Sequence, residues 1–188
     1  MGAWFLRIWL FLTAVNASAT PVVFDANVFY FTDDFTYNNA SSAYKRTFWD
    51  VMIGLGLNKK ASWVVGWNYG SMTFTENPGT ETSLTVTDMG PKLLVYLDRN
   101  RTWALGFTYN LITTADYSTS GVSTELRGTS LRGEFGYLPE MWEGIYMGAK
   151  LNYYQASFKE EVSSSTLTEV THSRTTIYPS FAFTWRWD

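Results

Sequence analysis

The chain has 188 residues, a formal net charge of −3, one histidine and no cysteine. Its length favours a single domain. Aromatic residues make up 18% of the chain and charged residues 16%, which excludes a disordered chain and a basic nucleic-acid-binding protein. The absence of cysteine excludes disulfides, thiolate catalysis and cysteine-ligated zinc, and a single histidine excludes a histidine-rich metal site. We therefore expect no cofactor and no metal.

Residues 1–19 have the pattern of a secretory signal peptide. Arg7 supplies the positive charge, residues 8–15 (IWLFLTAV) form a short apolar run, and Ala17-Ser18-Ala19 is a small-x-small cleavage site. The apolar run is shorter than the ~20 residues that a membrane-spanning helix needs. We predict cleavage after Ala19, export of the mature protein, and one domain over residues 20–188.

Beyond residue 20 the apolar side chains alternate with polar ones, which predicts β-strands rather than helices. Eight such segments follow in chain order, at 23–31, 45–57, 63–73, 86–97, 102–112, 125–137, 145–158 and 174–187. Short connections (58–60, 98–101 and 138–144) alternate strictly with longer polar ones (33–44, 74–85, 113–124 and 159–173). This alternation predicts an all-β fold, an eight-stranded antiparallel up-and-down transmembrane barrel with short periplasmic turns and longer extracellular loops.

The two faces of the predicted strands differ in composition. We predict a lipid-facing set on the apolar face: Trp49, Val51, Ile53, Leu55, Trp63, Trp67, Leu93, Val95, Trp103, Leu105, Phe107, Phe135, Leu151, Phe181, Phe183, Trp185 and Trp187. We predict that the charged residues of the other face form a network in the barrel interior: Asp25, Arg46, Asp50, Asp88, Lys92, Arg132, Glu134, Lys150, Arg174 and Arg186.

A soluble β-sandwich also alternates, with its apolar face inside. The polar face of this chain, however, carries eight glycines, which weaken strand interiors and leave nothing to pack. Small residues between Arg, Lys and Tyr are suited to a crowded barrel interior: Gly54, Gly56, Gly66, Gly70, Gly90, Gly106, Gly136 and Gly148. The pattern thus favours the barrel with its apolar face in lipid.

Aromatic residues group near the predicted strand ends, as interfacial girdles do. The tryptophans fall near the periplasmic ends: Trp49, Trp63, Trp103, Trp142, Trp185 and Trp187. The tyrosines Tyr30, Tyr44, Tyr109 and Tyr153 fall near the outer ends.

With its leader, its alternating connections and its closing segment 178–187 (YPSFAFTWRW), the chain resembles the small eight-stranded outer-membrane barrels, the group of OmpX and the OmpA transmembrane domain. The closing segment is similar to the C-terminal signal that the barrel-assembly machinery reads, although this chain ends on Asp188 rather than on an aromatic residue. Residues 88–96 (DMGPKLLVY) also resemble the Gly-Pro strand common in that family. The resemblance implies the outer membrane of a Gram-negative bacterium as the location.

Three functions remain open. Eight strands leave an interior that side chains fill, so our first hypothesis is a non-enzymatic outer-membrane protein with a polar, plugged interior and a structural or adhesive role at the cell surface. Its expected partners are outer-membrane lipids and lipopolysaccharide, the assembly machinery during insertion and a cell-surface ligand, without nucleic acid.

The second hypothesis is a lipid A-modifying acyltransferase or deacylase, because some barrels of this type carry a His and a Ser near the outer rim. His172 is the only histidine and Ser173 follows it. Adjacent residues of a strand point to opposite faces, which makes Ser173 a poor partner for His172. The deacylases of this type have a Ser two residues after the His, whereas that position is Arg174 in this chain. We therefore predict no catalytic residues. The third hypothesis, a narrow channel for small hydrophobic molecules, needs an apolar interior, whereas the predicted interior is charged.

Overall fold

The computed structural model of the chain describes residues 20–37, 40–58, 60–77, 81–120, 122–163 and 166–187. The predicted signal peptide, 1–19, lies outside these residues. Within them no helix has both the length and the apolar character needed to cross a membrane.

Nine strands form in the described residues, and period-2 alternation accounts for their two faces. They are β1 (Val22–Tyr37), β2 (Ala40–Gly56), β3 (Trp63–Asn77), β4 (Thr82–Tyr96), β5 (Trp103–Thr119), β6 (Val122–Tyr137), β7 (Glu140–Trp142), β8 (Ile145–Ser163) and β9 (Thr166–Trp187). The three-residue β7 pairs with β8 alone. It lies within the predicted connection 138–144 and is too short to show any periodicity.

The eight long strands close into a ring. Each strand from β1 to β6 pairs antiparallel with the next, β6 pairs with β8, β8 with β9, and β9 returns to β1. This up-and-down barrel confirms the predicted fold class and strand count.

The start of β1, the end of β9 and the short turns lie at one end of the barrel, which we call the terminal end; the opposite end is the hairpin end. At the terminal end, the turn between β4 and β5 is fixed by Asp98, whose carboxylate accepts a hydrogen bond of 2.9 Å from the backbone N–H of Trp103. Desolvation acts to raise the pKa of Asp98, but this bond and those from Thr102 outweigh it and lower the pKa.

At the hairpin end the strands continue into the connections predicted to be long. β5 and β6, for example, pair as far as Thr119 and Val122, so most of the predicted connection 113–124 is strand. The polar composition of these segments suggested loops, because both of their faces are largely polar. Their threonines favour extended backbone all the same. Arg127 on this part of β6 pairs with Glu125 at 2.6 Å, and that hydrogen bond raises the pKa of Arg127.

An apolar belt surrounds the half of the barrel toward the terminal end. Above it, toward the hairpin end, the outward positions carry Thr47, Ser71 and Thr87. Trp49 lies at this upper edge, beside Tyr69 with ring centroids 5.7 Å apart. Its predicted place near the terminal end is therefore wrong: β2 begins at Ala40 rather than at Lys45, and Trp49 lies seven residues before its end at Gly56.

Candidate functional site

The barrel interior holds a charge cluster of three acids and three bases, contributed by five of the eight strands of the ring. Its members come from inward positions of β1, β2, β4, β6 and β8, each at most 4% exposed: Asp25, Asp50, Lys92, Arg132, Glu134 and Lys150. Together their formal charges cancel. Because an unpaired buried charge is costly, this balance is what allows six ionised groups to share the interior.

Two lysines and two acids form one half of the charge cluster. Lys92 Nζ lies 2.9 Å from Asp25 Oδ2 and 2.8 Å from Glu134 Oε1. Lys150 Nζ lies 2.9 Å from both carboxylate oxygens of Asp25 and 3.2 Å from Glu134 Oε2. Each ammonium therefore bridges the same two carboxylates, and β1 is linked through the interior to β4, β6 and β8.

Arg132 organises the other half. Its guanidinium pairs with Asp50, contacts Glu134 Oε1 at 3.0 Å and donates to Asn68 Oδ1 at 3.0 Å. The guanidinium carbon also lies 5.1 Å from the centre of the Phe48 ring, a cation–π distance. Arg132 is thereby held on several sides.

Neutral side chains complete the hydrogen bonding. Asn27 donates to Asp50 Oδ1 at 2.7 Å and to Asp25 Oδ2 at 3.2 Å, and Thr184 donates to Asp25 Oδ1 at 2.7 Å. Asn27, Asn68 and Thr184 lie on the predicted inward face, but they are uncharged and the predicted charge network therefore does not include them. Their inward phase on the strands was the signal that could have identified them.

Glycines provide the space for these long side chains. A Cβ on Gly106 would lie 2.7 Å from Glu134 Oε2, and one on Gly136 would lie 2.7 Å from Lys150 Cγ. The interleaving of small and charged residues in the sequence thus has a direct steric basis in the interior.

Asp88 belongs to a separate group on the hairpin side of the charge cluster. It accepts hydrogen bonds of 2.7 Å from Thr113 Oγ1 and from Ser130 Oγ, both at Oδ1, and Asn110 donates to Ser130 Oγ at 2.8 Å. We call Asp88, Asn110, Thr113, Ser130 and Tyr154 the Asp88 group.

Three residues of the predicted interior network lie apart from the charge cluster. Arg46 and Arg174 occupy half-buried inward positions toward the hairpin end. Arg174 pairs with Glu76 at 3.6 Å and lies 4.0 Å from the centre of the Phe74 ring. Arg186 lies at the terminal end, where it donates to the backbone oxygen of Lys60 at 3.5 Å. The structure thus brings six of the ten predicted residues into one cluster and Asp88 close to it.

Apolar layers cover the polar interior on both sides, so the expectation of an interior that is polar throughout needs correction. Toward the hairpin end lie Phe48, Met72, Phe74, Leu84, Val86, Ala115, Leu126, Tyr154, Ala156, Phe158 and Tyr178. Toward the terminal end lie Val23, Met52, Ala61, Val64, Leu94, Tyr96, Ala104, Leu138, Tyr146 and Ala182. Ala61 and Leu138 lie in turns of the terminal end and the other residues on inward strand positions near the two ends, while the charges occupy the middle.

Two cavities lie near the apolar layers. The cavity between Phe29, Phe48 and Tyr178 has about 10 Å³, close to the minimum for one water. A larger pocket of about 530 Å³ lies among the turns at the terminal end, beside Arg99, Arg101 and Tyr146. The side chains of the charge cluster are at most 4% exposed, so they are sealed from solvent.

All seventeen residues of the predicted lipid-facing set occupy outward positions. Thirteen of them are 39–65% exposed, whereas Val51, Leu93, Val95 and Phe183 are half-buried by their neighbours. The outside of the barrel is therefore apolar where its inside is charged.

The region around His172 has no catalytic arrangement in the described residues. His172 is on an inward position of β9 at the hairpin end, exposed, with Nε2 3.7 Å from Glu161 Oε2. Ser173 is on the following, outward position and pairs with Ser157 of β8. The described residues also contain no group of three or more His, Asp or Glu side chains placed to hold a metal ion.

No protein-family model and no curated protein matches the chain. Among solved structures it is similar to Neisserial surface protein A (13% identity, 89% of this chain and 95% of that chain, TM-score 0.46). It is also similar to the translocator domain of the autotransporter NalP from Neisseria meningitidis (10% identity, 96% of this chain and 67% of that chain, TM-score 0.45). A third similar structure is OmpT, an outer-membrane protein of Vibrio cholerae (10% identity, 89% of this chain and 52% of that chain, TM-score 0.29). At these values the similarities carry no argument, and the OmpX-type resemblance stays a prediction.

Proposed function

We propose that this protein is an outer-membrane barrel of a Gram-negative bacterium, exported by a cleaved signal peptide, whose interior is plugged by its own side chains. The observation that carries the proposal is the reversed polarity of the wall: large apolar side chains point outward and buried charges point inward. In a water-soluble barrel the apolar face would be inside.

The height of the apolar belt supports this proposal. On β9 the outward apolar positions extend from Ile177 to Trp187, about 33 Å along the strand at roughly 3.3 Å per residue. With the usual tilt of roughly 40°, the belt is about 25 Å tall, which matches the apolar band of outer-membrane barrels. Such an exposed surface far exceeds the few hundred Å² that soluble monomers tolerate.

The sealed interior favours an anchor over a diffusion pore. Six ion-paired residues occupy the middle of the barrel and an apolar layer covers each side of them. In planar bilayers we expect no large, steady single-channel currents from the wild-type protein. Such currents would contradict the plugged interior.

Fractionation tests the location directly. The full-length chain expressed in a Gram-negative host is expected in the outer-membrane fraction, and to migrate differently on gels with and without boiling. Leu105 and Phe107 are outward and about half exposed. A variant in which both are changed to Asp should not assemble. A mature wild-type chain that stays soluble without detergent would refute the proposal.

The role at the cell surface that we propose is structural or adhesive, through the hairpin end and its contacts with lipopolysaccharide or another surface. Two features support this role. The outward positions of the hairpins at that end are polar, and β8 and β9 extend the barrel wall to Ser163 and Thr166. Replacement of residues 160–169 by an Asn-Gly turn should preserve the barrel and reduce adhesion to host cells or to lipopolysaccharide-coated surfaces. Unchanged adhesion would leave only the structural role.

The proposal is non-enzymatic. Overexpression of the wild-type protein is therefore expected to leave the mass of lipid A unchanged, and His172→Ala should behave as wild type. A mass shift that depends on His172 would replace the proposal with a lipid A-modifying activity.

A further inference from the structure

The fully buried part of the interior contains one acid more than it has bases. Seven Asp, Glu, Lys and Arg side chains of the described residues are at most 5% exposed, four acids and three bases. The three bases pair with Asp25, Asp50 and Glu134. No described Lys or Arg forms an ion pair with Asp88, and the charge of Asp88 acts on Arg132 without direct contact, so Asp88 is a buried carboxylate with no ion-pair partner beside it.

The side chains around Asp88 present oxygen atoms. Thr113 and Ser130 donate their hydroxyl protons to Asp88, which leaves oxygen lone pairs free on both. Asn110 uses its amide nitrogen on Ser130, and its Oδ1 is buried without a hydrogen-bond partner. The Tyr154 hydroxyl is directed at Asp88 and Ser130 but makes no hydrogen bond of standard geometry, and Tyr154 is fully buried.

The backbone is irregular at this point of the barrel. The strand register shifts between Met89 and Lys92 against β5, between Asn110 and Thr113 against β6, and between Arg127 and Gly128 against β8. In β5 the bulge turns both Leu111 and Ile112 outward, so Asn110 and Thr113 both point inward. Bulges re-aim side chains, and these three gather the oxygens of the Asp88 group.

We propose that the Asp88 group binds a sodium-sized monovalent cation. Carboxylate, carbonyl and hydroxyl oxygens are the ligands of hard cations. One carboxylate balances one positive charge, so a monovalent ion makes the buried interior neutral, whereas a divalent ion would leave an excess. The ion accepts a lone pair of Asn110 Oδ1, which otherwise has no hydrogen-bond partner, and one of Tyr154 Oη.

Sodium linkage to stability tests the proposal. Wild-type protein in phosphatidylcholine vesicles is unfolded with urea at pH 7, with NaCl replaced stepwise by choline chloride at constant ionic strength. A cation bound only by the folded state increases the folded-to-unfolded ratio about tenfold for each tenfold rise in sodium above its dissociation constant. Stability that does not change when choline replaces sodium would overturn the proposal.

Asp88→Asn should lose the sodium dependence, while Asp116→Asn, an exposed acid on an outward position of β5, should keep it. Sodium dependence retained in Asp88→Asn would also overturn the proposal. If Asp88→Asn does not fold, a high-resolution crystal structure of the wild-type protein grown with NaCl decides: a peak among Asp88, Asn110 and Tyr154 is expected, with distances to their oxygens shorter than those of a hydrogen-bonded water. Its absence there shows that the group holds water only and refutes the site.

Discussion

Removal of the Lys92 ammonium is the sharpest perturbation of the charge cluster. Lys92→Met keeps the chain length and most of the packing, but it takes away the group that lies 2.9 Å from Asp25 and 2.8 Å from Glu134. The cluster then carries a net charge of −1 in a place without solvent. Breaking a buried ion pair from one side costs about 3–5 kcal/mol of unfolding free energy, and we expect a loss of this size.

A second change should recover much of that loss. Glu134→Gln alone leaves the cluster with a net charge of +1, whereas Lys92→Met and Glu134→Gln together leave two acids and two bases. Asp25 stays paired with Lys150 at 2.9 Å, and Asp50 stays paired with Arg132. Because the double variant is neutral, we expect its loss to be at least about 2 kcal/mol smaller than the sum of the two single losses.

Urea unfolding in lipid vesicles, followed by tryptophan fluorescence, measures the four free energies of this cycle. Arg127→Gln is the matched control, because the pair of Arg127 with Glu125 at 2.6 Å is exposed at the hairpin end and should contribute little to stability. Two single losses that add to the double loss within about 0.5 kcal/mol would refute the reasoning that net charge of the cluster decides its stability.

Three further predictions concern a glycine, the outer face and a turn. Gly106→Val, whose Cβ would meet Glu134, should lower the free energy of unfolding by about 1–3 kcal/mol. Gly133→Ala, with nothing within 4 Å of its Cβ, should lower it little. Equal losses of unfolding free energy in urea would contradict the crowded interior. Leu105→Arg in the belt should lower the free energy of unfolding by about 2–4 kcal/mol, and Thr114→Arg, outward on the same strand but above the belt, by about 0–1 kcal/mol. The reverse order in the same assay would be inconsistent with the position of the belt. The pKa of Asp98 is lowered in the folded state, so Asp98 stabilises the fold above its unfolded pKa of about 3.9 and loses this effect as the pH falls. The stability difference between wild type and Asp98→Asn should therefore shrink below about pH 4. A difference that grows on acidification would oppose this.

The faces of the strands could be predicted because period-2 alternation depends only on local sequence. All predicted outward residues from Trp49 to Trp187 occupy outward positions for that reason. The hairpin ends could not be predicted: the polar segment 33–44 predicts a loop, yet Asp33 pairs with Tyr44 across β1 and β2. There the alternation of apolar and polar residues ends, while the backbone pairing does not.

Contacts inside the barrel depend on register, which the alternation does not supply. Arg174 shares the inward phase of Lys150, but it lies near the hairpin end and meets Glu76 instead. The bulge at Leu111 and Ile112 was visible only as two consecutive apolar residues. The Asp88 group, which needs that bulge to bring Thr113 inward, was therefore beyond the reach of a pattern based on strict alternation.

The direction in which the apolar face points is tested most directly by spin labels. The chain has no cysteine, so single cysteines at Val51, Leu105 and Phe183 each take one label without background, and Lys45, exposed and outward toward the hairpin end, serves as the aqueous reference. In reconstituted vesicles we expect the first three labels to be accessible to oxygen and shielded from a water-soluble nickel relaxant, and the label at Lys45 to show the opposite. Nickel accessibility at Val51, Leu105 and Phe183 equal to that at Lys45 would contradict an outer face in contact with lipid.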